Sequence, residues 1–235
     1  MVKLSKRLQQ IADFVPLGTK VADIGTDHGL LPCYLVQKGV SPLAIAADIS
    51  KGPLKMAERL VSTLLLADRV ELRLGDGLKV LNPGEVDTVV IAGMGGATIK
   101  NILEASPKVV EKLKRLILQP NVAGNLVRLW AKQNQWRIID EEIIFEDKHY
   151  YEIIVLEPGE MNWVDDIYLH LGPKLVEKHH PLLIPFLQNQ EEVEQEILKD
   201  LKKSNSKEAK QKAQDIQNKW AKIRQVITWR LNVQM

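Results

Sequence analysis

Glycines and acidic residues come together in the segment V-A-D-I-G-T-D-H-G, residues 21–29, where a buried apolar run gives way to a helical pattern. Glycine in such a turn lets a ligand approach the main chain, and the amides that open the next helix face the adjoining crevice. This context is typical of a site for a nucleotide-type ligand. The candidate ligand-binding residues of the turn are Asp23, Gly25, Thr26, Asp27 and Gly29.

Two more aspartates stand at the ends of later apolar runs. Asp48 ends the second run 23 residues after Gly25, where a carboxylate can accept two hydrogen bonds from ribose hydroxyls. Asp76 follows the third run in L-G-D-G-L, a suitable place to meet an adenine amino group. Either residue alone could equally be a turn former or a helix N-cap. Acids at three successive strand ends favour a nucleoside ligand, with Ile49 and Gly77 as neighbouring contacts.

A nicotinamide dinucleotide is the rival ligand, because it also needs a ribose-binding acid. Its fingerprint G-x-G-x-x-G requires glycine at position 27 and a small residue at position 30. The chain has Asp27 and Leu30 there. A carboxylate in the turn would repel a pyrophosphate, but it suits the sulfonium and amino group of S-adenosylmethionine. The electrostatics therefore favour the methyl donor.

The elements that position these residues alternate between short apolar runs and longer helical stretches, after an opening amphipathic helix. Such alternation is typical of a parallel sheet with crossover helices. The last two runs are separated only by residues 146–149, too few for a crossover helix, so they predict an antiparallel hairpin at the sheet edge. The predicted strands are Lys20–Ile24, Leu43–Asp48, Val70–Leu74, Val86–Ala92, Leu116–Gln119, Trp136–Phe145 and Tyr150–Leu156.

The strand pattern stops at Pro158-Gly159, which divides the chain into residues 1–159, an α/β domain, and residues 160–235, a helical domain. The second part carries a first set of apolar residues at Leu183, Phe186, Val193, Ile197 and Leu201. A second set, Ala213, Ile216, Trp220, Ile223 and Ile227, alternates at spacings of three and four, which is the rhythm of a coiled-coil seam. The two sets predict a pair of antiparallel helices joined at Ser204-Asn205-Ser206.

Charge is unevenly distributed in the helical domain. Residues 160–198 carry two lysines against eight carboxylates, whereas residues 199–235 carry ten cations against three carboxylates. A charge run is often only a solvated surface, but this one also suits an anionic partner. The net charge of the whole chain is only +2, which excludes a uniformly basic coat for nucleic acid.

Composition excludes several other classes of protein. A single cysteine, Cys33, cannot form a disulfide framework or a four-ligand zinc site. No apolar run reaches the ~18 residues of a membrane span, and the first residues lack the apolar core of a signal peptide. We expect a cytoplasmic monomer with no membrane or metal partner.

The motifs together resemble the bacterial tRNA adenine-22 N1-methyltransferase family. The resemblance runs the length of the chain, including the two-helix tail. It implies a Rossmann-like class I methyltransferase sheet, S-adenosylmethionine as cofactor, and methyl transfer to N1 of an adenine in the D-arm region of tRNA. The motifs that carry it are D-I-G-T-D-H-G from Asp23, A-D-I-S from Ala47, G-D-G-L from Gly75, I-A-G-M-G-G from Ile91, Q-P-N from Gln119 and Y-E-I-I from Tyr151.

Candidate catalytic residues come from the strand ends beside the proposed crevice. Asn121 is the first candidate for orienting the base, with Gln119 beside it and His28 in the first turn; each also has a purely structural reading. The G-M-G-G segment supplies Gly93, Met94 and Gly95. We interpret this segment after the fourth strand as leaving room for a base to reach the methyl donor. The candidate tRNA contacts are Arg7 of the opening helix and Lys202, Lys203, Lys207 and Lys210 of the tail.

Two other functions remain open from the residues alone. One is a methyltransferase acting on a protein or small molecule, with the tail used for protein contacts. The other is a non-catalytic RNA-binding protein, against which the ribose-binding carboxylates argue, since a scaffold does not need them.

Overall fold

A computed structural model describes residues 2–161, 165–204 and 206–231 of the chain. Its seven strands form one mixed sheet in the order β3-β2-β1-β4-β5-β7-β6, in which only β7 runs antiparallel to its neighbours. The predicted α/β class, with an antiparallel hairpin at the edge, is confirmed. The strands are β1 Val21–Ile24, β2 Ala44–Asp48, β3 Val70–Leu74, β4 Thr88–Gly95, β5 Arg115–Val122, β6 Trp136–Glu146 and β7 His149–Pro158.

Helices connect the parallel strands and cover both faces of the sheet. One face carries the apolar cluster of Ile91, Ile99 and Trp130, and the other face carries that of Ile11, Leu35 and Val90. The helices are α1 Lys6–Asp13, α2 Leu30–Gln37, α3 Lys51–Thr63, α4 Gly96–Glu104, α5 Pro107–Val110, α6 Gly124–Gln133, α7 Tyr168–Leu171, α8 Pro173–Glu177, α9 Leu183–Leu201 and α10 Lys207–Leu231.

Two of the strands that extend further than predicted, β4 and β5, extend into the site. β4 continues past the predicted end at Ala92 through the G-M-G-G segment to Gly95, and β5 continues past the predicted end at Gln119 to Val122, so that Asn121 lies inside the strand. The strands stay paired because bulges around Met94 accommodate Pro120, which has no N–H to donate.

The tail helices α9 and α10 pack against each other and on the β6–β7 hairpin. Ion pairs join Glu194 to Lys219 and Glu191 to Arg224, and this pairing order is that of antiparallel helices. The predicted linker residue Asn205 lies outside the described residues. The cluster between tail and hairpin includes Ile143, Leu171, Leu175, Leu183, Phe186, Trp220, Ile223 and Ile227.

The expected seam is wrong at two positions of α9. Val193 is 58% exposed and Ile197 is 40% exposed, whereas the neighbouring Leu198 is buried. Heptad spacing alone could not reveal this, because a residue at the edge of the stripe can face an open groove as readily as a partner helix.

A buried ion-pair network ties the tail to the α/β domain. The Arg128 guanidinium on α6 donates to Glu141 Oε1 and Glu152 Oε2, both at 2.6 Å, and to the Leu169 carbonyl of α7 at 3.0 Å. The Lys174 amide of α8 donates to Glu141 Oε2 at 2.8 Å. The boundary after residue 159 stays a prediction, and this network spans it.

Across the described ranges, no helix is both long and apolar enough to cross a membrane.

Candidate functional site

Backbone hydrogen bonds hold the first three strand-end turns against one another. The amides of Gly25 and Thr26 donate to the Ala47 carbonyl at 2.8 and 2.9 Å, and the Gly75 amide donates to the Asp48 carbonyl at 3.0 Å. The turns after β1, β2 and β3 therefore form one continuous edge at the carboxyl ends of the strands, where ligands bind in open α/β sheets.

Asp23 is the most deeply placed acid of this edge. Its carboxylate is buried and accepts a 2.6 Å hydrogen bond from Thr26 Oγ1. Burial raises the pKa of Asp23 to about 6, and the nearby Asp27 and Asp48 add to the rise, whereas Thr26 and Arg7 oppose it. A cation bound beside Asp23 would favour its ionised form.

Gly25 makes room where the turns after β1 and β4 meet. Its φ of +76° is left-handed, and a Cβ at this position would lie 2.2 Å from Met94 Cε. Met94 packs in part on the apolar cluster of Ile91 and Ile99. A side chain at position 25 would therefore have to displace the end of the Met94 side chain and adopt a left-handed conformation, and glycine avoids both.

The other predicted cofactor residues lie along the same edge with ordinary surface partners. Asp48 Oδ1 accepts from the Ser50 amide at 2.6 Å, and Ile49 between them is exposed. Asp76 pairs with Lys79 at 2.6 Å, and both side chains are more than half exposed.

His28 lies at the outer side of the first turn. Its Nε2 is 3.1 Å from Asp27 Oδ1, and its own φ of +59° shows that the turn forces it into a left-handed conformation. Its catalytic role stays a prediction.

A cavity of about 330 Å³ brings together part of the predicted set. Asp23, Gly25, Asp27, Gly93 and Asn121 line it. Four further lining residues were missed as site residues from the sequence: Leu8, Leu31, Ala92 and Tyr151. Two of them had a signal in the sequence: Tyr151 begins the Y-E-I-I motif, and Ala92 is the second residue of I-A-G-M-G-G.

A second cavity, of about 290 Å³, holds Asp76 and Gly77 together with Thr98 and Ile102. The structure thus places the two ends of the predicted cofactor set in separate hollows along one edge of the sheet.

Gln119 forms hydrogen bonds with Arg7, Gly93 and Asn121, all three of which line the cavity of about 330 Å³. The buried Gln119 accepts at Oε1 from Arg7 Nη1 at 2.6 Å and from the Gly93 amide at 3.1 Å. Gln119 Nε2 donates to Asn121 Oδ1 at 3.0 Å, and Asn121 Nδ2 donates to the Gly93 carbonyl at 2.8 Å. The left-handed φ of Gly93, +79°, presents its amide to Gln119 and its carbonyl to Asn121.

These hydrogen bonds determine which way the side-chain amides of Gln119 and Asn121 point. Arg7 and the Gly93 amide can only donate, so the oxygen of Gln119 must face them and its nitrogen must face Asn121. Asn121 then has to turn its oxygen toward Gln119 and its nitrogen toward the Gly93 carbonyl. The orientation of Asn121 is therefore determined by the Arg7 guanidinium and the Gly93 amide, which can only donate, and by the Gly93 carbonyl, which can only accept.

Arg7 is held from two sides within this arrangement. Besides donating to Gln119, its guanidinium lies over the Tyr151 ring, 5.1 Å from the centroid. The predicted contact between Arg7 and RNA stays a prediction, and the structure gives the residue a place in the cavity wall.

The tail lysines lie away from the cavity, at the α9–α10 tip. Lys202, Lys203, Lys207 and Lys210 are all exposed, and Lys203 pairs with Asp200 at 2.7 Å. This ion pair contributes little to the stability of the protein, because both of its side chains are 78% exposed.

Metal ligands were not predicted. Within the part of the chain that the structure describes, no cluster of three or more His, Cys, Asp or Glu side chains is placed to hold a metal ion.

Comparison with known proteins identifies the family. Residues 21–225 match the family model of the tRNA (adenine(22)-N(1))-methyltransferases. The enzyme of that name from Bacillus subtilis is 37% identical over 232 residues, 96% of this chain and 98% of the relative.

Solved structures agree with the sequence match. The crystal structure of the B. subtilis m1A22 tRNA methyltransferase has a TM-score of 0.88 and 35% identity, over 97% of this chain and 100% of that one. A Streptococcus pneumoniae structure, described as a putative tRNA (m1A22) methyltransferase in complex with S-adenosyl-L-methionine, has a TM-score of 0.81 and 32% identity, over 92% and 99%. The chain belongs to the tRNA (adenine(22)-N(1))-methyltransferase family.

Proposed function

We propose that this protein transfers a methyl group from S-adenosylmethionine to N1 of adenine 22 in tRNA. The observation that carries the proposal is the oriented Gln119–Asn121 amide pair, in which Asn121 lines an acidic cavity. Family membership supplies the target atom.

The residues along the strand ends fit this cofactor. S-adenosylmethionine supplies an electrophilic methyl group on a sulfonium centre when it is bound. Asp23 and Asp27 line the cavity and would hold its cationic end. Asp48, whose carboxylate is fixed by the Ser50 amide, would accept from the ribose hydroxyls, and Asp76 would accept from the adenine amino group.

The reaction needs alignment more than proton removal. Adenine N1 already carries a lone pair, so no strong base is required to make it a nucleophile. The protein has to hold N1 in line with the methyl group and exclude competing water.

Asn121 can do more than align the base. Its nitrogen is committed to the Gly93 carbonyl, and its oxygen accepts from Gln119 with one lone pair, so the second lone pair would accept a hydrogen bond from the adenine N6 amino group. Positive charge develops on the adenine ring as the N1–methyl bond forms, which makes the amino hydrogens more acidic. The hydrogen bond to Asn121 then strengthens in the transition state, and this lowers the barrier.

The target adenine must be unpaired, because N1 of a paired adenine is engaged with the opposite strand. The exposed lysines at the α9–α10 tip would hold the tRNA backbone while the base enters the cavity. One chain supplies every side chain that this scheme uses, so we propose a monomer, working in the cytoplasm where tRNA is found.

An assay with labelled cofactor tests the function. The protein is incubated with labelled S-adenosylmethionine and unmodified tRNA, and the modified nucleoside is mapped by digestion and mass spectrometry. We expect 1-methyladenosine at position 22, and no label in a matched tRNA that has guanine there. Label in a protein or small-molecule fraction instead of tRNA would contradict the proposal.

A further inference from the structure

A groove at the carboxyl end of β5, beside the turn into α6, is distinct from the proposed cofactor cavity. It has a volume of about 480 Å³, a size found for small-ligand sites. Its walls come from the turn between β5 and α6, from β7, from α7 and from the tail helices. The residues that the argument uses are Val122, Asn125, Asn189, Gln190, Val193 and Ile197.

The groove is continuous with the active site. Asn121 lines both the groove and the cavity that contains Asp23. The two tyrosines that precede Glu152 alternate across the sheet, so that Tyr151 lines the cavity and Tyr150 lines the groove. A strand of RNA that places one base beside Asn121 would therefore carry its neighbour over Val122 into the groove.

Apolar side chains are unusually exposed around this groove. Val122 is 67% exposed, and Val193 and Ile197 of α9 face the groove from the opposite wall. Single exposed apolar residues are common on protein surfaces, but several around one hollow indicate a contact site. Three amide side chains, those of Asn125, Asn189 and Gln190, lie among them and can both donate and accept hydrogen bonds.

The charged residues of the groove are paired within the protein. Arg128 is bonded to Glu152, and Lys219 is bonded to Glu194. The histidine of the lining is His170, whose pKa is lowered to about 4 by burial and by Lys219 and Arg128, so it is uncharged at neutral pH. The lining thus has apolar surface and neutral amides but no net charge, which suits a nucleobase and not a phosphate.

We propose that this groove binds the unpaired nucleobase adjacent to the target adenine in the same RNA strand. The base would pack its face on Val193 and Ile197 and offer its edge to the amides. This inference rests on the proposed function and adds a second base-binding site to it. Holding the neighbour would keep the target base extruded while N1 is methylated.

Polar substitutions of similar size on α9 test the proposal. In the double variant Val193→Gln and Ile197→Gln, we expect kcat/KM for tRNA to fall about tenfold, because the base loses the apolar surface on which it packs. Cofactor affinity and the salt dependence of tRNA binding should be unchanged, because no charge is altered. The matched control is Leu17→Gln and Leu65→Gln, two exposed leucines that precede β1 and β3. Equal kcat/KM in both double variants would overturn the proposal.

Cross-linking tests the occupant directly. Cys33 is fully buried, so Val193→Cys provides a single exposed thiol for a photoactivatable label. We expect a cross-link to a nucleotide next to position 22, and none there from Leu65→Cys. No cross-link from position 193 to tRNA, as for a surface that binds protein, would overturn it.

The two proposals fail differently. If the wild-type protein does not methylate tRNA, the proposed function is wrong. If it does, while the groove variants match their controls, only the groove assignment is wrong.

Discussion

Two residues on one strand, Gln119 and Asn121, show how the site depends on the direction of single hydrogen bonds. Their types suggested an adenine contact, but only the contacts to Arg7 and Gly93 determine which way each amide points. The sequence could not supply this, because Arg7 is 112 residues away along the chain.

The substitution Gln119→Glu tests that direction without changing shape. A carboxylate keeps the bonds from Arg7 and the Gly93 amide, but it has no hydrogen for Asn121 Oδ1. Asn121 can donate to this carboxylate only by turning its amide over, which breaks its bond to the Gly93 carbonyl. Its oxygen would then no longer face the adenine amino group. We expect kcat to fall about tenfold or more in the methylation assay, the cost of one misdirected hydrogen bond in the transition state.

Cofactor affinity measured by calorimetry should stay within about twofold in the same variant, because Gln119 is not proposed to touch the cofactor. Asn121→Ala should lower kcat to a similar extent. Unchanged turnover in Gln119→Glu would show that the amide chain is only structural.

Asp23 gives the site a pH dependence. Its pKa is about 6 in the folded protein, above its ordinary value of 3.8, because burial disfavours the charge. Below about pH 6 the side chain is protonated and no longer attracts a cation. We expect the affinity for S-adenosylmethionine, measured by calorimetry, to fall as the pH is lowered through 6. The affinity of the Asp23→Asn variant should be low and independent of pH over this range.

The same residue should affect stability in the opposite sense. The folded state binds the proton more tightly than the unfolded state, so this group's contribution to stability falls as pH rises from about 4 to about 6. Asp23→Asn should therefore raise the free energy of unfolding at pH 8, on the order of 3 kcal/mol, and not at pH 4. Equal effects at both pH values in urea titrations would contradict the assigned pKa.

At the scale of elements, the number of strands and the antiparallel hairpin at the sheet edge could be predicted, but the strand ends could not. Apolar runs separated by Gly, Pro and Ser correctly indicated all seven strands. However, Gly93 and Pro120, which normally interrupt strands, lie inside β4 and β5, where bulges keep the strands paired. The same reasoning missed the groove, because Val193 and Ile197 have the spacing of a helix seam but line an open wall.

The contact between α6, the hairpin and the tail depends on Arg128. Its side chain is 2% exposed and is bonded to two carboxylates, so removing it leaves Glu141 and Glu152 buried without their counterion. We expect Arg128→Met to lower the free energy of unfolding by about 3–5 kcal/mol in urea titrations. Arg115→Met, which breaks a more exposed pair with Glu157, should cost about 1 kcal/mol. Equal destabilisation of the two variants would argue against a buried network that joins tail and sheet.

At the scale of the whole molecule, positive charge is concentrated at one end. The carboxylates Glu191 and Glu194 of α9 are paired with Arg224 and Lys219 of α10, so much of the charge along the middle of the tail is neutralised within the pair of helices. The exposed lysines at the tip stand beyond this region. The net charge of +2 therefore conceals a local basic surface, and the tip is the part of the tail best suited to phosphates.

Charge reversal at the tip tests whether it holds tRNA. Binding of lysines to phosphates releases counterions, so each phosphate that is no longer neutralised should reduce the slope of log affinity against log salt concentration by about 0.9 for a duplex. Lys202→Glu, Lys203→Glu, Lys207→Glu and Lys210→Glu together should weaken tRNA binding strongly and flatten that slope, while cofactor affinity stays unchanged. A charge-matched control reverses four exposed lysines of the α/β domain, Lys20, Lys38, Lys108 and Lys112. Because both variants carry the same net charge, a difference in salt slope between them can only come from position. If the two slopes are equal, the tip does not bind the tRNA backbone, and the tail would then serve protein contacts instead.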